Sequence, residues 1–297
     1  MSLGDGRRAK RKADHKRWDH RERTRRRELG QNFLKDKRVA RLIVDESGVG
    51  KDDLVVELGA GGGMLTRQLA RKVRRVIAVE CDPSWALHLR ERFSDDKNVR
   101  VVQGDALTVA LPGEPFRVVA NVPFYATTSI LHRLLDDPTS PLDEAHLLVQ
   151  RQVAFKHARA SPTTLKTLTW SPWYGFYAGL ELPADAFHPK PKVDACLLRA
   201  ARRDPPLVAP HHRHPFRALV RLAFDGRRNT VGKVLRPVFT RTQICRLARD
   251  NGFSPDSFPS MLDVHQWAGV FGFMIRAVPQ DRWPLAGRQE LQGDSSR

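Results

Sequence analysis

Short apolar runs that alternate with helical stretches set the strongest limit on what this chain can fold into. Leu54-Val55-Val56-Glu57-Leu58 is followed by glycines and then by a helical stretch through Leu65, Leu69 and Val73. Val76 to Glu80 is a second run, leading into a helix from Pro83 towards Phe93. Val99 to Gln103, Phe116 to Ala120 and Ala145 to Gln150 repeat the pattern, with Thr128 to Leu135 helical between the last two. Runs this short and this continuously apolar read as strands covered on both faces. Alternating with helices, they predict an α/β fold built on a parallel, doubly wound sheet. Ligands of such sheets sit beyond the carboxyl ends of the strands, and each polar motif below falls at one of those ends.

The flanks read differently. Residues 1–28 are rich in arginine and almost free of large aliphatic side chains, which predicts a disordered basic arm. Asp36 to Glu46 reads as a helix capped by Asp36 and ended by Gly48, with Val39, Leu42 and Ile43 on one face. After about Asp204 no further strands are expected. Phe216 to Phe224, Gln243 to Arg249 and the segment after Asp263 look helical, the last with Val264, Trp267, Ala268 and Phe271 at i, i+3, i+4, i+7. The expected organisation is therefore an arm at 1–28, a sheet domain at 29–203, a small helical domain at 204–278 and a flexible tail at 279–297.

Charge points to the partner. The chain of 297 residues holds 51 Lys+Arg against 33 Asp+Glu, a formal +18. Residues 1–30 carry 12 basic and 5 acidic side chains, and residues 202–250 carry 12 basic and 3 acidic, so these two segments supply 16 of the 18 units. Charge concentrated in this way predicts a polyanion, because neutralising phosphates releases their counterions. Arg25, Arg26 and Arg27 in the arm are candidate RNA contacts, as are Arg227, Arg228 and Lys233, which cluster around Gly226 and Gly232. No apolar run is long enough to span a bilayer and the N-terminus has no apolar signal region, so a soluble cytoplasmic chain is expected. Cys81, Cys196 and Cys245 lie far apart without metal-ligand spacing, and no metal is expected. Monomer is the default.

Three strand ends define a candidate cofactor site. Glu57-Leu58-Gly59-Ala60-Gly61-Gly62-Gly63 follows the first strand, where glycine lets backbone turn tightly and approach a ligand. Alone, such a turn also suits a dinucleotide or a plain loop. Glu80 ends the second strand, where a carboxylate can accept from ribose hydroxyls. Gly104-Asp105 ends the third, where a carboxylate can accept from an adenine amino group. With no phosphate-gripping lysine and no Gly-Lys-Ser/Thr sequence, a nucleoside without phosphates fits best, and S-adenosylmethionine better than NAD.

Asn121-Val122-Pro123-Phe124 ends the fourth strand. An adenine amino nitrogen is a poor nucleophile because its lone pair is delocalised into the ring. Two acceptors, the Asn121 side-chain oxygen and the Pro123 carbonyl, can grip its hydrogens and aim the lone pair at a methyl donor. Phe124 can stack on a base lifted out of its strand. Catalysis of this kind is chiefly positioning.

These motifs, in this order, resemble the ribosomal RNA adenine N6-methyltransferases, with high specificity from Leu29 to about Arg199 and more weakly to Met274. The resemblance implies a Rossmann-like S-adenosylmethionine-dependent methyltransferase domain with a helical C-terminal domain. Gly30-Gln31-Asn32-Phe33-Leu34 looks like the family's N-terminal cofactor motif. It adds Gln31, Asn32 and Phe33 to the cofactor residues Glu57, Gly59, Gly61, Gly63, Glu80, Asp105, Ala106 and Asn121. Phe187-His188-Pro189-Lys190-Pro191-Lys192-Val193-Asp194 looks like the second target-base element, which implies that Phe187 faces Phe124 across the adenine. Val122 and Phe124 stand where related sequences often have Ile or Leu and Tyr; the stack survives, the phenolic contact does not. Trp170-Ser171-Pro172-Trp173-Tyr174 and Leu182 to Phe187 resemble the Erm-type branch, as does, less specifically, the segment from Gln266-Trp267 to Phe271. That branch methylates one adenine in the peptidyl-transferase region of 23S ribosomal RNA and confers resistance to macrolide, lincosamide and streptogramin B antibiotics. The alternatives are the small-subunit dimethyltransferases and a non-enzymatic RNA-binding factor of the same fold, the latter opposed by the intact Asn121, Pro123 and Phe124.

Overall fold

The computed structural model describes residues 32–225 and 229–285. The expected arm, together with Arg25, Arg26, Arg27, Gln31, Arg227 and Arg228, lies outside the described residues. The described chain begins with a two-residue strand, β1 (Phe33–Leu34), and helix α1 (Lys37–Glu46). The Asp36 side chain caps α1 by accepting from the Arg38 backbone N–H at 2.8 Å, and Gly48 leaves the helix with φ of 62°. The inward face is shifted from the expected one: Ala40, Ile43 and Val44 are buried, whereas Leu42 is 52% exposed. Ala40, with nothing beyond Cβ, lets the helix approach the sheet, and Leu42 is left at the margin.

Strands β2 (Leu54–Leu58), β3 (Arg75–Glu80), β4 (Val99–Gln103), β5 (Phe116–Asn121) and β6 (Leu142–Gln150) follow, within three residues of the boundaries read from the sequence. Helices α2 (Met64–Ala70), α3 (Pro83–Arg92) and α4 (Thr127–Leu135) connect them in part. β2 and β5 read as near-continuous apolar runs because both faces are covered; every residue of β2 is buried.

The sheet is not wholly parallel. After α5 (Arg151–Ala158) and α6 (Leu165–Trp170), strands β7 (Tyr174–Leu182) and β9 (Ala195–Arg202) extend it, with the two-residue β8 (Phe187–His188) between them. The order is β4-β3-β2-β5-β6-β9-β7, with β9 antiparallel to both neighbours. Sequence reading passed over β7 and β9 as strands. Tyr177, Gly179 and Glu181 on the edge strand β7 are exposed, so that part of the run alternates and lacks the continuous apolar signature.

The strand order reverses at β2 and β5, so their carboxyl ends, Leu58 and Asn121, flank the switch point where such sheets bind ligands. β1 pairs antiparallel with β8, Phe33 opposite His188 and Leu34 opposite Phe187, away from the main sheet.

The C-terminal helices are α7 (Arg213–Asp225), α8 (Val231–Val234), α9 (Arg241–Asp250) and α10 (Val264–Ala277). They share one core with the sheet domain. Trp173 lies edge-on to Phe216 at 5.9 Å and Phe216 edge-on to Phe271 at 5.5 Å. Burying each such side chain contributes roughly 1.5–3 kcal/mol. Two polar groups in the seam are paired: Trp173 Nε1 donates to the Val208 carbonyl at 2.7 Å, and buried Arg217 donates to the Asp136 carbonyl at 2.7 Å. Trp170 and Trp173 are therefore core residues. The expected loose tail starts with order: Gln280–Arg282 form a 3-10 turn, and Trp283 Nε1 donates to the Val278 carbonyl at 2.9 Å.

Candidate active site

A cavity of about 310 Å³ opens at the switch point. It gathers Asn32, Phe33, Gly59, Gly61, Glu80, Asp105, Ala106, Asn121 and Pro123, from four strand ends and the N-terminal segment. Two carboxylates and no lysine or arginine line it, which suits a nucleoside carrying positive charge and no phosphate. Glu80, 1% exposed, is fixed by backbone: Gly61 N donates to Oε2 at 2.7 Å and Asp82 N to Oε1 at 2.9 Å. An ionised carboxylate has about four acceptor positions, so directions remain for ribose hydroxyls. Asp105 is exposed at the next strand end and anchors its own turn by accepting from Leu107 N at 2.9 Å.

The glycines serve two purposes. Gly59, Gly61 and Gly63 have φ of 77°, 52° and 75°, a backbone that other residues rarely adopt. At Gly61 a Cβ would also lie 2.6 Å from Cε1 of Phe33, so the ring packs directly onto the loop.

Glu57 stands apart from the other candidates. It does not line the cavity that holds Glu80. It lines a neighbouring hollow of about 330 Å³ with Leu34, Trp85 and His188, and Phe33, Gly59 and Asn121 line both. Gly63 lines neither; it serves as the left-handed start of α2. Glu57 is 1% exposed and accepts from Thr66 Oγ1 at 2.6 Å. Burial pushes its carboxyl up to about 8, so it holds its proton at neutral pH.

Asn121 has its amide orientation set by its neighbour. Its Nδ2 donates to the Asn32 carbonyl at 2.7 Å. A carbonyl only accepts, so the atom facing it is the nitrogen and Oδ1 is turned elsewhere as an acceptor. The Pro123 carbonyl accepts from Ala126 N at 2.9 Å and keeps a second lone pair. Together they can take two hydrogens from one amino group.

The aromatic pair is not an open slot. Phe124 and Phe187 meet edge-on, with centroids 6.5 Å apart and planes at 70°, and Phe187 is fully buried. A base between two rings requires parallel planes separated by roughly twice the 3.5–4.0 Å carbon contact distance. Phe187 thus supports Phe124 from behind; Phe124 is only partly buried and lines neither hollow, so it flanks the cavity rather than forming its wall. Leu107, Tyr125 and Ile130 also line the cavity and were not singled out from sequence; Tyr125, an aromatic directly after Phe124, was the available signal. Cys81, read as a packing residue, is instead exposed on the cavity wall, where burial of its sulfur and the Glu80 carboxylate push its thiol up.

Lys233 is on the surface of α8, remote in sequence from the cavity residues. Among the described residues no cluster of His, Cys, Asp and Glu is arranged to hold a metal ion, and no helix is long and apolar enough to cross a membrane.

Comparison with known proteins decides the family. The sequence pattern of the family described as "Ribosomal RNA adenine dimethylase" matches residues 22–267. The chain belongs to this family. As a ribosomal RNA adenine dimethylase relative it is a methyltransferase acting on ribosomal RNA adenine. It is 35% identical over 246 residues to the mycinamicin-resistance protein MyrB of Micromonospora griseorubida, covering 83% of this chain and 78% of that one. It is also 35% identical over 254 residues to the ribosomal RNA small subunit methyltransferase A of Caldanaerobacter subterraneus, covering 81% and 94%. Its structure matches that of the 23S rRNA methyltransferase ErmE with a TM-score of 0.74 at 28% identity, covering 82% of this chain and 100% of that one.

Proposed function

We propose that this member of the family transfers methyl groups from S-adenosylmethionine to N6 of one adenine in the peptidyl-transferase region of 23S ribosomal RNA. The modification would protect the ribosome from macrolide, lincosamide and streptogramin B antibiotics. The observation that favours this branch is the likeness to ErmE, at a TM-score of 0.74 and 28% identity, joined by the likeness of Trp170 to Tyr174 and Leu182 to Phe187 to the Erm-type sequences. Equal identity to a resistance protein and to a small-subunit enzyme keeps the second reading, ribosome biogenesis, in contention.

Asn32, Gly59, Gly61, Glu80, Asp105 and Ala106 would hold the cofactor, which supplies an activated methyl group on a sulfonium. Glu80 and Asp105 orient the nucleoside and place negative potential near that cation. Asn121 Oδ1 and the Pro123 carbonyl grip the adenine amino group, and Phe124 stacks on the flipped base. Gripping both hydrogens localises the nitrogen lone pair and holds it in line at near-attack distance, so positioning supplies most of the rate. Arg25 to Arg27, Arg227, Arg228 and Lys233 are proposed RNA phosphate contacts, and the enzyme is read as a cytoplasmic monomer.

The deciding experiment is methyl transfer from labelled S-adenosylmethionine to naked 23S RNA and, separately, to immature small subunits, with sites mapped by reverse-transcription stops. Label at one peptidyl-transferase adenine is the expected result. Label on paired small-subunit adenines instead would move the chain to the biogenesis branch.

A further inference from the structure

Tyr125 is 68% exposed, more than any other phenylalanine or tyrosine among the exposed large side chains of the described residues. It is also one residue from the loop proposed to hold the target base. Phe124, Tyr125 and Ala126 form a single 3-10 turn. With about three residues per turn, neighbouring side chains on such a turn diverge by roughly 120°. Phe124 accordingly meets Phe187, while Tyr125 lines the cavity and stays largely open to solvent. Leu107, 37% exposed, lines the same cavity from the loop after β4, so the mouth carries an apolar rim.

Of the three other exposed phenylalanines and tyrosines among the described residues, Phe258 is also bare but does not line the cavity, and the remaining two are covered. The Arg151 guanidinium lies over Phe155 at 4.7 Å and that of Arg199 over Tyr177 at 5.4 Å. No arginine covers Tyr125 among the described residues. A bare aromatic face at the rim of a site that takes a base out of its strand has an obvious class of partner. When one nucleotide leaves the stack, its neighbour loses an apolar contact and presents a π-face to water.

We infer that Tyr125 is the stacking platform for the nucleotide adjacent to the target adenine, holding the strand in place while Phe124 holds the flipped base. It is a positioning residue for RNA, rests on the reading of Asn121 to Phe124 as the base-holding loop, and involves no bond making. Because stacking tolerates any base, Tyr125 adds affinity near the target without dictating the neighbouring sequence.

The test uses the full chain and an RNA fragment that the wild-type enzyme methylates, with 2-aminopurine placed in turn on either side of the target. Tyr125→Ala is expected to raise KM for RNA about tenfold, within the range of base–aromatic stacking, with kcat at saturating RNA nearly unchanged. Tyr125→Phe keeps the ring and is expected to retain wild-type KM. Tyrosine quenching of one 2-aminopurine should disappear in Tyr125→Ala and persist in Tyr125→Phe. Calorimetric affinity for S-adenosylmethionine should not change. Unchanged KM and quenching in Tyr125→Ala would overturn the inference. So would a loss confined to cofactor affinity, which would make the ring a cover for the cofactor. Asn121→Ala in the same assay separates the two levels: retained turnover there removes the base-holding reading itself, whatever Tyr125 does.

Discussion

Glu57 shows how much a single buried carboxyl reports about its surroundings. In the folded chain it keeps its proton up to about pH 8, against an ordinary value of 4.5 in the unfolded one. Folding therefore takes up a proton between those limits. The stabilisation is complete below pH 4.5, declines as pH rises and is gone above about 8. Urea midpoints of wild type relative to Glu57→Gln are expected to fall steadily from pH 5 to pH 8; parallel curves would mean that Glu57 ionises normally. At Asn121 the expectation concerns chemistry. Asn121→Ala removes one of two acceptors for the amino group, and kcat should drop by about 10²-fold or more, while calorimetry shows cofactor affinity close to wild type. Residue types at the site were legible in the sequence because Glu80, Asp105 and Asn121 each end an apolar run. Their polar partners were not. The bond from Asn121 to the Asn32 carbonyl spans 89 positions and uses a backbone atom, which no side-chain pattern records.

Elements explain why the glycine loop works only with β1 beside it. Phe33 on β1 occupies the space that a Cβ on Gly61 would need, at 2.6 Å, and the same ring lines both hollows. Gly61→Ala must strain a positive-φ backbone, at roughly 1–2 kcal/mol, and displace that ring. It should lower cofactor affinity about tenfold and lower the melting temperature, both measurable by calorimetry. The parallel strands were legible because burial on both faces leaves an unbroken apolar run. β7 was hidden because an edge strand with one wet face breaks that pattern, and β1 and β8 because two residues are too few to show any period. The tilt of Phe124 against Phe187 was not legible for a related reason: a resemblance can place two rings at one site, but their relative angle depends on the packing around Phe187, which is fully buried.

At the scale of the whole molecule, charge and core divide the labour differently. The helical C-terminal part is not a separate body, since Trp173, Phe216 and Phe271 run one aromatic seam through it and the sheet domain. Its excess positive charge is what distinguishes it. Reversing Arg227 and Arg228 to Glu should weaken RNA binding and flatten the log–log dependence of affinity on salt by about two units, close to one per lost phosphate contact. Cofactor affinity should survive; an unchanged salt slope would exclude these arginines from phosphate contact. The ribbon of β1 and β8 also has a temporal meaning. It joins residues 33–34 to 187–188. A chain emerging from the ribosome presents the glycine loop, Glu80, Asp105 and Asn121 long before Phe187 has been added. The support behind Phe124 is absent from every shorter nascent chain. Synthesis itself thus delays completion of the site until most of the protein has been made, and prematurely terminated products lack part of the support on which the base is expected to rest.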